Sequence, residues 1–237
     1  MANSYFRFKQ FTIHQDRCAM KVCTDACILG AWFADKTPAW SRVLDIGSGT
    51  GLLMLMLAQK HKGEIEGIEL DFDAFRQLQE NIGQSPWSSM LKAHPGDVRG
   101  FSFGQKFDFI ITNPPFYEGQ LEADSIADNL ARHSKELTLS GLLTVIDANL
   151  TADGSFGILL PYARMTWFEE EAKARGFSLR ERLVVRQSPR HDFFRSILHL
   201  SRRRERSMPT SELTIQGAGG AYTNDFIGLM KDYYLYL

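Results

Sequence analysis

The alternation of apolar and polar side chains changes period along the chain, and the changes mark out its elements. Residues 5–14 alternate with a period near two, which predicts a short hairpin or edge strand. Over 25–34 the apolar residues Ile28, Leu29, Trp32 and Phe33 return at helical spacing, so a helix is expected there. From residue 42 onward short apolar runs and helical patterns take turns. Strands are predicted at 42–46, 64–70, 91–93, 107–112 and 156–160, and helices at 52–59, 72–81, 137–150 and 167–175. Such βαβ alternation implies a mostly parallel sheet with helices on both faces. Two further strands, 179–187 and 196–201, are separated only by a Pro-containing turn and predict an antiparallel pair closing one sheet edge. Residues 117–136 form a polar connection too long for a simple turn, the kind that is usually functional.

Composition narrows the class. The chain has 237 residues, 44% hydrophobic and 23% charged, which is globular composition, and no apolar run reaches the roughly 18 residues of a membrane span. The first residues lack a basic segment followed by an apolar stretch, so no secretory signal and a cytoplasmic location are expected. A formal net charge of -1 excludes a uniformly basic nucleic-acid coat, so any nucleic-acid partner must be met locally. Cys18, Cys23 and Cys27 lie near His14, but their spacing lacks the paired CxxC ligands of a zinc knuckle. No metal site is expected. Nor does the chain imply an obligate protein partner.

Chemistry concentrates at two turns. In Val43-Leu44-Asp45-Ile46-Gly47-Ser48-Gly49-Thr50-Gly51, glycines stand where a strand must turn sharply into a helix and let a ligand approach the backbone. Asp45 precedes the first glycine, and Glu69 ends the next strand, where a carboxylate can accept from ribose hydroxyls. Dinucleotide enzymes use similar loops, so a nicotinamide dehydrogenase is a rival reading. The second turn, Asn113-Pro114-Pro115-Phe116, ends the fourth strand of the alternation, at the carboxyl edge where open α/β sheets bind ligands. Two prolines make a stiff turn that can direct carbonyl oxygens at a guest. Asn113 offers a side-chain carbonyl and Phe116 a π-face for an extruded base.

The run LDIGSGTG followed by GIEL resembles the first two motifs of class I S-adenosylmethionine-dependent methyltransferases, and NPPF resembles the acceptor motif of amino methyltransferases. The resemblance implies an α/β, Rossmann-like, mostly parallel seven-stranded sheet with helices on both faces and an antiparallel edge strand. It implies S-adenosyl-L-methionine as cofactor, held by Asp45, Gly47, Gly49, Gly51, Glu69, Leu70, Asp97, Val98 and Asn113. The catalytic turn would be Asn113, Pro114, Pro115 and Phe116, acting on a planar nitrogen: adenine N6, guanine N2 or a glutamine amide.

Beyond these motifs, Phe8-Lys9-Gln10-Phe11, the segment Asp16 to Asp25 and the terminal Tyr233-Tyr234-Leu235 are similar to the bacterial tRNA1(Val) adenine-37 N6-methyltransferases, with differences at Cys23, Ala26 and Cys27. That likeness spans nearly the full length. It implies one domain over 1–237, with 1–40 an extension over the cofactor pocket in which Lys21, Val22, Thr24 and Asp25 cover the methionine end. The implied partner is the anticodon loop of a tRNA. Arginines dense between 180 and 206, interleaved with Phe193 and Phe194, provide a phosphate-binding candidate, with Arg190, Arg195, Arg202, Arg203 and Arg204 as the RNA contacts. A solvated strand pair is the plainer reading of the same arginines. A release-factor glutamine methyltransferase would be expected to carry a docking domain ahead of the glycine turn, where only about forty residues stand. A nucleotide-binding module without turnover would leave the NPPF turn with no task.

Overall fold

A computed structural model describes residues 3–18, 20–115, 137–203 and 210–237. The N-terminal alternation forms the expected hairpin, β1 (Tyr5–Arg7) and β2 (Thr12–His14), paired antiparallel. Next come α1 (Thr24–Ala34), β3 (Val43–Ile46), α2 (Leu52–Ala58), β4 (Ile65–Glu69), α3 (Phe72–Gly83), β5 (Leu91–Pro95) and β6 (Phe107–Thr112). After the undescribed segment follow α4 (Leu139–Asn149), β7 (Leu150–Pro161), α5 (Met165–Ala174), β8 (Ser178–Arg186), β9 (Phe193–Ser201), β10 (Ser211–Thr214) and α6 (Asn224–Met230).

Eight strands form one sheet in the order β10-β8-β9-β7-β6-β3-β4-β5. The α/β, Rossmann-like expectation holds, with two differences in detail. Among the described residues the sheet has eight strands rather than seven, because β10 pairs in parallel with β8. The antiparallel strand is β9, and it lies inside the sheet between β7 and β8 instead of at an edge. Only Leu213 of β10 is buried, and an outer strand this short leaves almost no apolar pattern.

Alternation across the sheet builds a core on each face. Val43, Phe109, Ile111, Leu159 and Ile197 join the cluster with α1, α2 and α6, while Leu44, Ile110, Ile158, Leu160 and Leu198 join the one with α4 and α5. Helix α2, LLMLMLA, is buried all round, which is why its sequence shows no polar stripe. Gly30 and Gly157 permit close packing. A β-carbon on Gly157 would stand 2.2 Å from Phe33, so α1 can lie directly across β7. The start of β7 bulges: Phe107 pairs with Leu150 but Phe109 pairs with Ser155, and this irregular stretch hides the first half of the strand from the periodicity.

The N-terminal segment is fastened to α3 by buried amides. Asn81 donates to the carbonyls of His14 and Thr50 and accepts from the His14 amide, and Gln77 accepts from the Arg17 amide. Its other end meets the C-terminus, where Phe8 bridges to Tyr234 and Lys9 donates to the Leu237 carbonyl. Among the described residues, no helix is long and apolar enough to cross a membrane.

His199 on β9 is buried edge-on to Phe33 and Phe109, and neither ring nitrogen has a hydrogen-bond partner. Burial, aided by Arg180 and Lys36, lowers its pKa to about 3. Below about pH 6.5 the unfolded chain therefore takes up a proton that the folded one refuses. Stability falls as pH drops from there toward 3, by up to about 1.4 kcal/mol per pH unit. Urea unfolding at several pH values should show this slope in the wild type and a shallower one in His199→Leu; equal slopes would remove the assignment.

Candidate active site

The chain runs outward from β3 to β4 and β5, then returns to place β6 on the other side of β3. That reversal opens a crevice at the carboxyl ends of the strands. A cavity of about 450 Å³ lies there, within the range of small-molecule sites.

One wall is the glycine turn. Gly47, Gly49 and Gly51 have φ of 71°, 54° and 86°, values that side-chain-bearing residues rarely adopt. A β-carbon on Gly47 or Gly49 would meet nothing within 4 Å, so both present open backbone, and both line the cavity. Gly51 differs. It begins α2, a β-carbon there would stand 2.6 Å from Leu78, and it does not line the cavity, so its task is packing α2 against α3.

Opposite stands the end of β4. Glu69 accepts from the Gly49 amide and from the Asp71 amide, both at 2.8 Å, which fixes the carboxylate while leaving lone pairs for a guest. Asp71 in turn caps α3 through the Ala74 amide, a supporting role that its position before a helical run could have revealed. Leu70, 65% exposed, lies on the rim. Asp97 and Val98 follow β5 and also line the cavity. The Asp97 carboxyl is held below its usual pKa mainly by the Arg99 guanidinium, which binds both of its oxygens. Arg99 is a lining residue the motifs did not announce.

Asp45 is wholly buried beneath the turn, with neither carboxylate oxygen hydrogen-bonded. Burial, and then the charge of Glu69, push its pKa well above the ordinary carboxylate value. It is not part of the lining surface.

The third wall is the end of β6. Thr112 donates to the Ile46 carbonyl, tying the two central strands together just before Asn113, Pro114 and Pro115, all of which line the cavity. The Asn113 side-chain oxygen is buried and unpartnered. Phe116 lies outside the described residues.

The N-terminal segment supplies the roof through Cys18, Met20, Lys21, Val22 and Cys23. The Lys21 ammonium donates to the carbonyls of Gln15 and Cys18, and Gln15 accepts from the Val22 amide, so this stretch is braced by its own side chains. Thr24 and Asp25 are not brought to the cavity. Asp25 accepts instead from Arg195 at 2.7 Å. Burial raises the Cys23 thiol to about 12, and no group of three metal-binding side chains occurs among the described residues.

The basic run is divided by the reversal of β9. Arg195 pairs across from Pro161 at the carboxyl edge, beside exposed Arg190, whereas Arg202 and Arg203 follow Ser201 at the opposite edge. There they form ion pairs with Asp147 and Asp153, both at 2.8 Å. They therefore do not join Arg190 and Arg195 in one docking face, as the linear sequence implies. Arg204 lies outside the described residues.

A Rossmann-like sheet with this glycine turn, the Glu69 carboxylate and the Asn-Pro-Pro turn around one crevice defines a class I methyltransferase. Residues 28–157 match the methyltransferase small domain family. The chain is 43% identical over 201 residues, 84% of its length and 83% of the relative's, to a tRNA1(Val) (adenine(37)-N6)-methyltransferase of Dyadobacter fermentans. It is 40% identical to the enzyme of that name from Photorhabdus laumondii, over 98% of this chain and 95% of that one. A solved structure, a predicted O-methyltransferase from Agrobacterium tumefaciens, shares the fold with a TM-score of 0.67 at 15% identity, over 89% and 97% of the two chains. The chain belongs to the tRNA1(Val) (adenine(37)-N6)-methyltransferase family.

Its cofactor is S-adenosyl-L-methionine, and the cavity fits that molecule by its donor and acceptor set. The lone pairs of Glu69 and the Asp97 carboxylate on the lining offer acceptors to a ligand rich in cationic and hydroxyl donors, and the open backbone at Gly47 and Gly49 leaves room for it. The Asp45 carboxylate, beneath that lining, acts on the cofactor's positive charge through space and not by contact, so cofactor affinity should fall as pH drops through the carboxyl's raised titration, and calorimetry should find Asp45→Asn free of that dependence. Glu69→Ala should weaken binding by roughly 1–3 kcal/mol, the loss of hydrogen bonds to a charged acceptor. Undiminished binding in that variant would remove Glu69 from the cofactor site.

Proposed function

We propose that the chain transfers a methyl group from S-adenosyl-L-methionine to N6 of adenine 37 in the anticodon loop of tRNA1(Val), the substrate named for its relatives. The observation that carries the mechanism is the Asn113 carbonyl, buried and without a hydrogen-bond partner in the cavity wall. A desolvated acceptor left unpaired costs stability, about 1–3 kcal/mol, and is retained where a donor arrives with the substrate.

When bound, the cofactor supplies a methyl group activated by a sulfonium. Asn113 accepts one N–H of the target amine, and the carbonyl of Pro114 is available for the other. An aromatic amine delocalises its lone pair into the ring; taking both hydrogens in acceptors holds the nitrogen so that the lone pair faces the cofactor, and one of those hydrogens leaves as a proton to solvent once the nitrogen carries the methyl, the carbonyl acceptors being too weakly basic to keep it. Pro114 and Pro115 keep those acceptors still, and orientation of this kind is worth roughly 7–11 kcal/mol at best. Phe116, on sequence grounds alone, supplies the stacking face. Lys21 and Gln15 brace the roof segment that shields the site from water.

Asn113→Ala should keep cofactor affinity and thermal stability while single-turnover methylation slows by about a hundredfold or more. The assay is an anticodon stem-loop carrying adenine 3′ to the anticodon, beside the same RNA with guanine there. Equal methylation of the two would refute the adenine assignment, and methylation of protein extract alone would favour a glutamine acceptor.

For docking, Arg190→Glu at the carboxyl edge should weaken RNA binding and flatten its salt dependence, by about 0.7 in slope for each phosphate no longer neutralised. Arg203→Glu, at the far edge, should leave both near wild type. The reverse pattern would move the RNA to the other side of the sheet.

A further inference from the structure

Next to the acceptor turn, the surface at the carboxyl edge changes character. Thr112 on β6 pairs with Ile158 on β7, so Pro161, at the end of β7, stands about level with Pro114 and Pro115. Pro161 pairs with Arg195 on β9, and Phe193 pairs with Arg186 on β8. The turn over Tyr162–Arg164 and the loop joining β8 to β9 therefore open on the same edge as the cofactor cavity. At roughly 5 Å per strand, β9 lies about 10 Å from β6. That is a span of about three stacked nucleotides.

Three large aromatic side chains are exposed there: Tyr162 at 38% and Trp167 and Phe194 at 36%. Guanidinium groups accompany them. Arg164 lies 5.9 Å from the Trp167 ring centre and Arg195 5.2 Å from that of Phe194. Arg186 covers Phe193 at 5.0 Å, and Phe193 packs 5.4 Å from Tyr162. Asp192 is the one acid in the connecting loop. Exposed aromatic side chains along one sheet edge, beside a ligand crevice, suit a binding surface. Arginines beside them set its chemistry, because ring faces take unstacked bases of any sequence and guanidinium groups take the phosphates between them.

We infer that this ridge is a platform for the loop nucleotides flanking the target adenine. Tyr162, Trp167 and Phe194 stack on unpaired bases, and Arg164 and Arg190 meet their phosphates, while Arg195, ion-paired to Asp25, lies against the Phe194 ring. The inference rests on the reading that a base in a tRNA loop is the acceptor, and adds where the rest of that loop lies. It also gives the enzyme a reason to act on a loop: bases paired in a stem have no free faces to offer the ridge.

The test is a fluorescence titration of the full chain with a labelled anticodon stem-loop, intact or with abasic sites on either side of the target adenine. Phe194→Ala and Trp167→Ala should each bind the intact RNA roughly 5- to 150-fold more weakly, the range for loss of one base–aromatic stack. Phe194→Tyr and Trp167→Phe, which keep a ring, should recover most of that affinity, and cofactor affinity and Tm should not move. On abasic RNA the wild type should fall toward the alanine variants, whose substitutions should then cost little more. Unchanged affinity in both alanine variants, or an equal loss on intact and abasic RNA, overturns the platform while leaving the tRNA reading in place. Wild-type protein that does not bind the stem-loop at all overturns both.

Discussion

The hydrogen bond from the Gly49 amide to the Glu69 carboxylate is the interaction on which the site depends. It joins the turn after β3 to the end of β4, and it can form only because the backbone at Gly47 and Gly49 takes positive φ. With it in place the carboxylate faces the crevice, the Asp71 amide completes its support, and α3 starts from the same point through the Asp71 cap. Since α3 also holds the N-terminal segment through Asn81 and Gln77, floor, wall and roof of the cavity share one anchor.

Around that anchor the molecule keeps polar groups that do nothing for its stability. Asp45 is buried with both oxygens unpaired, and the Asn113 carbonyl is equally unprovided for. Folded proteins satisfy most of their buried polar groups, so unpaired ones beside a crevice mark where a ligand completes the hydrogen bonding. They divide by position and chemistry: the Asp45 carboxylate lies beneath the turn, off the lining, where it can act on a cationic cofactor only through its charge, and the Asn113 carbonyl lines the cavity, where it can take the N–H of an amine. The Thr112 hydroxyl on the Ile46 carbonyl holds the two strand ends in fixed relation, so the glycine turn and the Asn-Pro-Pro turn keep one geometry.

The reversal of β9 shapes the outer surface. It splits a basic run into two edges, leaving Arg190 and Arg195 near the crevice and giving Arg202 and Arg203 to Asp147 and Asp153. Arg195 also reaches Asp25 at the start of α1, so the carboxyl edge of the sheet at β9 is tied to the segment that follows the roof.

Sequence alone determined the βαβ alternation, the glycine turn, Glu69 and the Asn-Pro-Pro turn, because each is written locally: in a periodicity, a residue without a β-carbon, or a ring that locks φ. It also signalled the hairpin and the roof residues Lys21 and Val22. Tertiary structure alone decided that Gly51 packs a helix rather than lining the cavity, that Asp25 serves an arginine, and that β9 runs inside the sheet with β10 beyond it. It also decided which arginines share an edge with the crevice. Those facts turn on strand order and direction, and residues close in sequence come to lie a full strand length apart once a neighbouring strand runs the other way.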